Sequence, residues 1–216
     1  MQAVLAPAAC AAVALLALLA LLARACARAP PPPPPPPRRH LLAVFGSGGH
    51  TKELLALLAA LPRGFAASRA FVCADTDATS LPSALALGVL TQAEAARVHR
   101  IARAREVGQP AAAAVWGTLR GFAHALRVVR AEQPHVLLVN GPGTCIPVCA
   151  AALLLRAAGL APRSLAIVLV ESVCRVHSLS ASGLLAYHLG LADVVAVQWP
   201  QLKARYPRAS LVGLQV

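Results

Sequence analysis

The sequence predicts a doubly wound α/β domain, Rossmann-like, on a single parallel sheet behind an N-terminal membrane segment. Three observations predict it. From Leu41 onward, short continuously apolar runs alternate with helical stretches, the pattern of strands covered on both faces by crossover helices. Small and polar residues follow strand after strand, and open parallel sheets bind ligands beyond the carboxyl ends of their strands. Ahead of all this stands an uncharged run of mostly Ala, Leu and Val, Ala3–Ala23.

In chain order, that run comes first. About 20 such residues span a hydrocarbon core as a helix. A secretory signal core is shorter, about 7–15 residues, and follows positive charge. Here no Lys or Arg precedes the run, and Arg24, Arg28, Arg38 and Arg39 follow it. The positive-inside rule then leaves a short N-terminus on the lumenal side and everything after Arg24 in the cytosol. Residues 1–24 are therefore read as a single-pass anchor, with cleavage at Ala27-Arg28-Ala29 as the competing reading. Pro30–Pro37 are consecutive prolines, a stiff polyproline II spacer of about 25 Å. Residues 25–40 are read as that spacer, with Arg38 and Arg39 within reach of lipid headgroups.

Residues 41–216 form the domain. Leu41–Phe45 is the first buried strand and His50–Leu61 its helix. Ala70–Ala74 and Val98–Ile101 are the next two strands. Ala111–Glu132 is a long helix interrupted by Gly117 and Gly121. His135–Val139 is a strand and Thr144–Ala158 a helix. Ser164–Val170 and Asp193–Val197 are further strands, with a helical stretch between them. Runs of four to eight apolar residues bounded by turn residues read as strands, and longer periodic stretches as helices.

The formal charge is +12, from 20 Lys+Arg against 8 Asp+Glu. Such a surface suits phosphates, anionic lipid or an acidic partner. Aromatics are only 4% of the chain, too few for a base-stacking surface, so no nucleic-acid partner is expected. Cys10 and Cys26 lie in or after the leader. Cys73 and Cys174 fall in or beside strands, where free thiols act as small hydrophobes. Cys145 and Cys149 sit one helical turn apart, but two ligands do not make a structural zinc site. No metal and no cofactor is expected. Asn140 is the chain's one asparagine and is followed by Gly-Pro, so there is no N-glycosylation acceptor.

The loops carry the chemistry. After the first strand comes Gly46-Ser47-Gly48-Gly49-His50-Thr51, then Asp75-Thr76-Asp77, Asn140-Gly141-Pro142-Gly143-Thr144 and Glu171-Ser172. Gly48 and Gly49 let the backbone approach a ligand, and the N–H groups opening the helix favour negative charge. Gly141–Thr144 opens a second helix, with Thr144 in the N-cap position. A P-loop is absent. The dinucleotide fingerprint is half met by Gly46 and Gly48, with Thr51 in the third glycine's place and Asp75 as the ribose-binding acid. A membrane-tethered dinucleotide-binding oxidoreductase is therefore the alternative function, and a recruitment scaffold without a ligand is a third.

Taken together and in order, GSGGHTKE, ADTD, NGPGTCIP, VESVCRV and QWP behind an apolar leader resemble the membrane-anchoring subunits of the heterodimeric UDP-N-acetylglucosamine transferase of the dolichol-linked oligosaccharide pathway. More distantly, the domain resembles the N-terminal half of the MurG-type GT-B glycosyltransferases. The resemblance implies a GT-B enzyme split over two chains. This chain would be the acceptor-side half, inactive alone, held at the endoplasmic reticulum membrane. A separate soluble chain would bind UDP-GlcNAc. The pair would add the second GlcNAc to GlcNAc-pyrophosphoryl-dolichol, and the enzyme that adds the first GlcNAc is a further partner it allows.

Residue by residue, the resemblance makes His50 the candidate general base, since histidine exchanges protons near neutral pH. Ser47, Gly48, Gly49 and Thr51 form the turn expected to hold the acceptor pyrophosphate. Gly141 and Gly143 are expected beside it, with Asn140 and Thr144 either facing the phosphate or serving as structural residues. Glu171 either hydrogen-bonds acceptor sugar hydroxyls or caps Ser172 and its neighbours. Asp75 and Asp77 are turn residues. Trp199, Leu202 and Tyr206 suit a partner interface, with core packing as the other account. Two stretches depart from the family's pattern: Ala78–Ala96 is unusually rich in Ala and Leu, and the tail LVGLQV is less basic.

Overall fold

The computed structural model describes residues 39–62, 64–104, 111–141 and 143–213. The apolar leader and the proline spacer lie outside them. Among the described residues, no helix is long and apolar enough to cross a membrane.

Seven parallel strands form one sheet in the order β3-β2-β1-β4-β5-β6-β7. They are β1 (His40–Val44), β2 (Ser68–Ala74), β3 (Val98–Ile101), β4 (Val136–Asn140), β5 (Ala166–Val170), β6 (Val194–Val197) and β7 (Ser210–Leu211). The described helices are α1 (Gly49–Ala60), α2 (Ser80–Ala86), α3 (Gln92–Ala95), α4 (Ala111–Glu132), α5 (Cys145–Ala157), α6 (Ala181–Leu189) and α7 (Pro200–Arg205). The chain winds outward from β1 to β3, crosses back over the sheet through α4, and continues outward from β4 on the other side. The order thus reverses between β1 and β4, which pair from Leu41↔Val136 to Val44↔Val139.

Strand alternation divides the core. Leu42 and Val44 face one side with Val72, Leu137 and Ile167, under α4 and α5. Leu41, Ala43 and Phe45 face the other, under Leu54, Leu55 and Leu58 of α1 and Ala84 of α2. This is the period-two geometry of a strand, and both faces are apolar because both are covered. On the second face, Val168 of β5 and Val194 of β6 stay half-exposed, since α6 and α7 pack against the first. The two glycines in α4 have a packing reason. A Cβ at Gly117 would lie 2.8 Å from the Arg103 carbonyl oxygen, and one at Gly121 2.8 Å from that of Ala102.

Cys145 and Cys149 belong to the first face's core. Burial pushes the Cys145 thiol up to about 12 and raises Cys149 well above its ordinary value, so both pack as neutral, apolar groups. Cys174 differs from the expectation. Because β5 ends at Val170, Cys174 lies in the following loop and is exposed.

At the opposite end of the sheet from the strand tips, Glu132 closes α4. Its carboxylate accepts from His99 Nε2 at 2.7 Å, His40 Nε2 at 2.8 Å and Arg97 Nη2 at 3.0 Å. Burial alone would raise this carboxyl, but the bonds from His99 and His40 and the charge of Arg97 outweigh it and hold it below its ordinary value. A carboxyl lowered by folding stabilises the fold above its unfolded value and loses that contribution as the pH falls through the folded one. Melting temperature measured against pH should therefore fall below the ordinary carboxylate range. Glu132→Gln should flatten that fall, and an unchanged slope would remove Glu132 from it.

Candidate functional site

The turn after β1 is fixed from beneath. Phe45 stacks on Phe71 with ring centroids 5.5 Å apart. Thr51, one residue past His50, donates its hydroxyl to the Gly46 carbonyl and lies 2.5 Å from Ser80 Oγ. Ser80 Oγ in turn donates to Asp77 Oδ2 at 2.5 Å. Asp77 Oδ1 also accepts from the backbone N–H groups of Thr79 and Ser80, both at 3.0 Å. Asp77 is buried. Burial would raise its carboxyl, but the bonds from Ser80 and Thr79 hold it below the ordinary value. Thr51 and Asp77 thus lock the first turn to the second.

Above this base, Gly48 and Gly49 are exposed and His50 is half-buried. The backbone N–H groups of Gly48, Gly49 and His50 donate to no acceptor among the described residues. They point the positive end of α1 outward at the crevice where the strand order reverses. Ser47 is half-exposed beside them.

The His50 ring leans across to β4. Its Nδ1 lies 3.1 Å from Asn140 Oδ1 and 3.8 Å from Glu53 Oε2. Asn140, fully buried at the tip of β4, donates its Nδ2 to Glu53 Oε2 at 3.1 Å. Ser172, just after β5, donates its hydroxyl to Glu53 Oε1 at 2.6 Å. One carboxylate on α1, 11% exposed, therefore joins the ends of β4 and β5 beneath the histidine. Gly141 lies against the His50 ring: a Cβ there would sit 2.8 Å from Cε1 and closer still to Nδ1.

The remaining expected residues fall around this cluster. Gly143 is exposed. Thr144 occupies the N-cap position of α5 but makes no capping bond, because its backbone is already helical and its side chain is buried. Glu171 is 1% exposed. Its Oε1 accepts from the Ser172 N–H at 3.0 Å, and its Oε2 from the N–H and hydroxyl of Ser180 at 2.8 and 2.9 Å. That is the loop-capping arrangement of the two foreseen for it. Gln198 continues the framework by donating Nε2 to the Glu171 carbonyl at 3.2 Å. Asp75 accepts from the N–H groups of Thr76 and Arg103, a turn role.

Trp199 is half-buried and donates its indole N–H to the Val173 carbonyl at 2.6 Å. Leu202 is fully buried, and Tyr206 packs edge-on against Tyr187 in the core. Of the three residues expected at a partner interface, only Trp199 reaches the surface appreciably, because α7 is a single turn and a half laid against the sheet.

Glu53 and Ser172 are the cluster members that the sequence reading did not single out. The signal for Glu53 was present. It stands three residues after His50, so the two share a helix face, away from the buried stripe of Thr51, Leu54, Leu55 and Leu58.

Comparison with known proteins gives a consistent picture. The family described as "Oligosaccharide biosynthesis protein Alg14 like" matches residues 41–215. The chain is 40% identical over 183 residues to the "UDP-N-acetylglucosamine transferase subunit ALG14" of Homo sapiens, covering 80% of this chain and 81% of that protein. It is also 40% identical over 178 residues to the subunit of the same name in Yarrowia lipolytica, covering 82% and 81%. Among solved structures it resembles MurG of Acinetobacter baumannii, with a TM-score of 0.56 and 17% identity over 81% of this chain. It spans only 44% of that MurG chain. A putative UDP-N-acetylglucosamine 2-epimerase from Listeria monocytogenes matches almost as well, with a TM-score of 0.55, 17% identity, and coverage of 79% of this chain and 42% of that one. The last two likenesses therefore speak to the fold.

Proposed function

The chain belongs to the Alg14-like family of oligosaccharide biosynthesis proteins, and from that premise we propose that it is the membrane-anchoring, acceptor-side subunit of a two-chain UDP-GlcNAc transferase. The observation that carries the proposal is the set of N–H groups at Gly48, Gly49 and His50 that have no acceptor among the described residues, beside a histidine held at the β1/β4 reversal. It is an anion cradle with a proton acceptor next to it.

In this reading, the N–H groups hold the pyrophosphate of GlcNAc-pyrophosphoryl-dolichol, with Ser47 and Gly143 at the mouth and Gly141 behind the His50 ring. Thr51, Asn140 and Glu171 act from beneath by fixing the turns, and Thr144 packs buried at the start of α5. His50 Nε2 takes the proton from the acceptor hydroxyl as its oxygen attacks the anomeric carbon of UDP-GlcNAc. The bond from that carbon to the UDP oxygen breaks, and UDP leaves with the electron pair. The donor is bound by a separate soluble chain, so this chain alone does not turn over. The relatives' names as transferase subunits support a partner. So does the half-exposed valine face over β5 and β6, which gives that partner an apolar surface. Residues 1–24 anchor the assembly in the endoplasmic reticulum membrane, with residues 25–40 as spacer and the domain in the cytosol. There it also has access to the enzyme that adds the first GlcNAc.

The oxidoreductase alternative gains no support. Thr51, standing where a dinucleotide turn has its third glycine, is tied to the Gly46 carbonyl, and Asp75 is spent on its own turn. The test is purification of the full-length tagged chain in detergent, followed by a transfer assay with UDP-GlcNAc and a GlcNAc-pyrophosphoryl lipid. Co-purification of a small soluble chain with GlcNAc transfer is the expected result. A chain that purifies alone and binds a nicotinamide or flavin overturns the proposal.

A further inference from the structure

We infer that Glu53 is a positioning residue that acts through Asn140 to fix which nitrogen of His50 carries the proton. The argument follows the hydrogen bonds. A carboxylate only accepts. Glu53 Oε2 lies 3.1 Å from the Asn140 amide, so Asn140 must turn its NH₂ toward Glu53 and its carbonyl oxygen toward His50. That oxygen, 3.1 Å from His50 Nδ1, also only accepts. His50 must therefore donate from Nδ1–H, which leaves Nε2 with its lone pair and without a partner among the described residues. Ser172 fills the second oxygen of Glu53 at 2.6 Å, so the carboxylate does not rotate away from Asn140. The chain of polarity starts at Glu53 and ends at the one ring nitrogen facing the crevice. The unmediated Glu53–His50 distance, 3.8 Å, is beyond hydrogen-bond reach, so the effect passes through the amide.

This inference rests on the proposed role of His50, and the experiment separates the two. The full-length chain, co-purified with its soluble partner in detergent, is labelled with ¹⁵N at histidine, and the His50 ring signals are assigned by their loss in His50→Ala. The expected wild-type spectrum shows one tautomer, protonated at Nδ1. In Glu53→Gln, the residue facing Asn140 is no longer obliged to accept, so the Nε2-protonated tautomer appears. kcat then falls by about 10-fold, a part of the roughly 10²–10⁴-fold that a positioned base supplies, with both KM values unchanged. The double variant His50→Ala/Glu53→Gln loses no more than His50→Ala, since the two act as a unit. A wild-type His50 protonated at Nε2 overturns the inference, whether or not any variant folds. So does a Glu53→Gln protein with wild-type tautomer and wild-type kcat. Full turnover by His50→Ala would instead overturn the base role of His50, while the tautomer result would still stand.

Discussion

His50→Ala lowers kcat of the assembled transferase by about 10²–10⁴-fold, the contribution of a positioned general base, while recruitment of the soluble partner is unchanged. The two readouts separate because of where His50 stands. It is 31% exposed at the mouth of the crevice and contributes nothing to either apolar core. Its loss leaves the N–H groups of α1 in place, so acceptor affinity changes little and the deficit appears in kcat, the signature of an interaction realised in the transition state. The measurement is steady-state transfer with the acceptor varied, alongside the yield of partner in the pull-down. Equal turnover by wild type and variant would leave the turn as a binding element only.

Gly141→Ala has the second-largest expected effect, and it strikes stability and turnover together. Gly141 adopts φ +95°, where an L-residue pays about 1–2 kcal/mol of backbone strain. Its missing Cβ is also the space that the His50 ring fills. The ring must move, and a displacement of about 1 Å at a reacting group costs about 10²-fold in rate. A thermodynamic cycle divides the two causes. In Gly141→Ala/His50→Ala the ring is gone, so the double variant should regain part of the melting temperature lost by Gly141→Ala alone. The remainder is the backbone strain. If the double variant melts no higher than Gly141→Ala, the overlap with His50 is not the source of the loss.

The central strands of this fold were legible because burial on both faces writes them as unbroken apolar runs. Leu41–Phe45 and the β4, β5 and β6 runs needed no other cue, whereas β3 carries His99 and Arg100 and is only partly buried, and β7 is two exposed residues at the sheet edge with no apolar run to mark it. β2 begins two residues earlier than its apolar run, at Ser68. Ser68 and Arg69 extend it through partners that are distant in sequence: Ser68 Oγ meets His40 Nδ1 at 2.6 Å, and Arg69 holds Glu94 at 2.6 Å. α2 and α3 were not read as helices because at 7 and 4 residues each is too short for a helical period to show. What fixes α3 is a capping box between Thr91 and Glu94. The glycine turn after β1 and the place of His50 at the start of α1 were legible from local spacing. The Glu53–Asn140–Ser172 junction was not, because its members become neighbours only when β1, β4 and β5 lie side by side.

That junction also dictates when in the life of the chain a site first exists. Asn140 is 87 residues from Glu53, and Ser172 is 119 from it. Closing loops of that length costs entropy before any contact is gained, and parallel pairing between distant segments folds slowly. A ribosome-bound chain that has exposed the His50 turn has therefore made none of the site. The junction needs β5, so the crevice is complete only after β5 has emerged and the sheet has closed across the reversal. Mutations far from His50 that slow this closure would present in cells as lost transfer, in proportion to how little of the chain completes the sheet before quality control removes it.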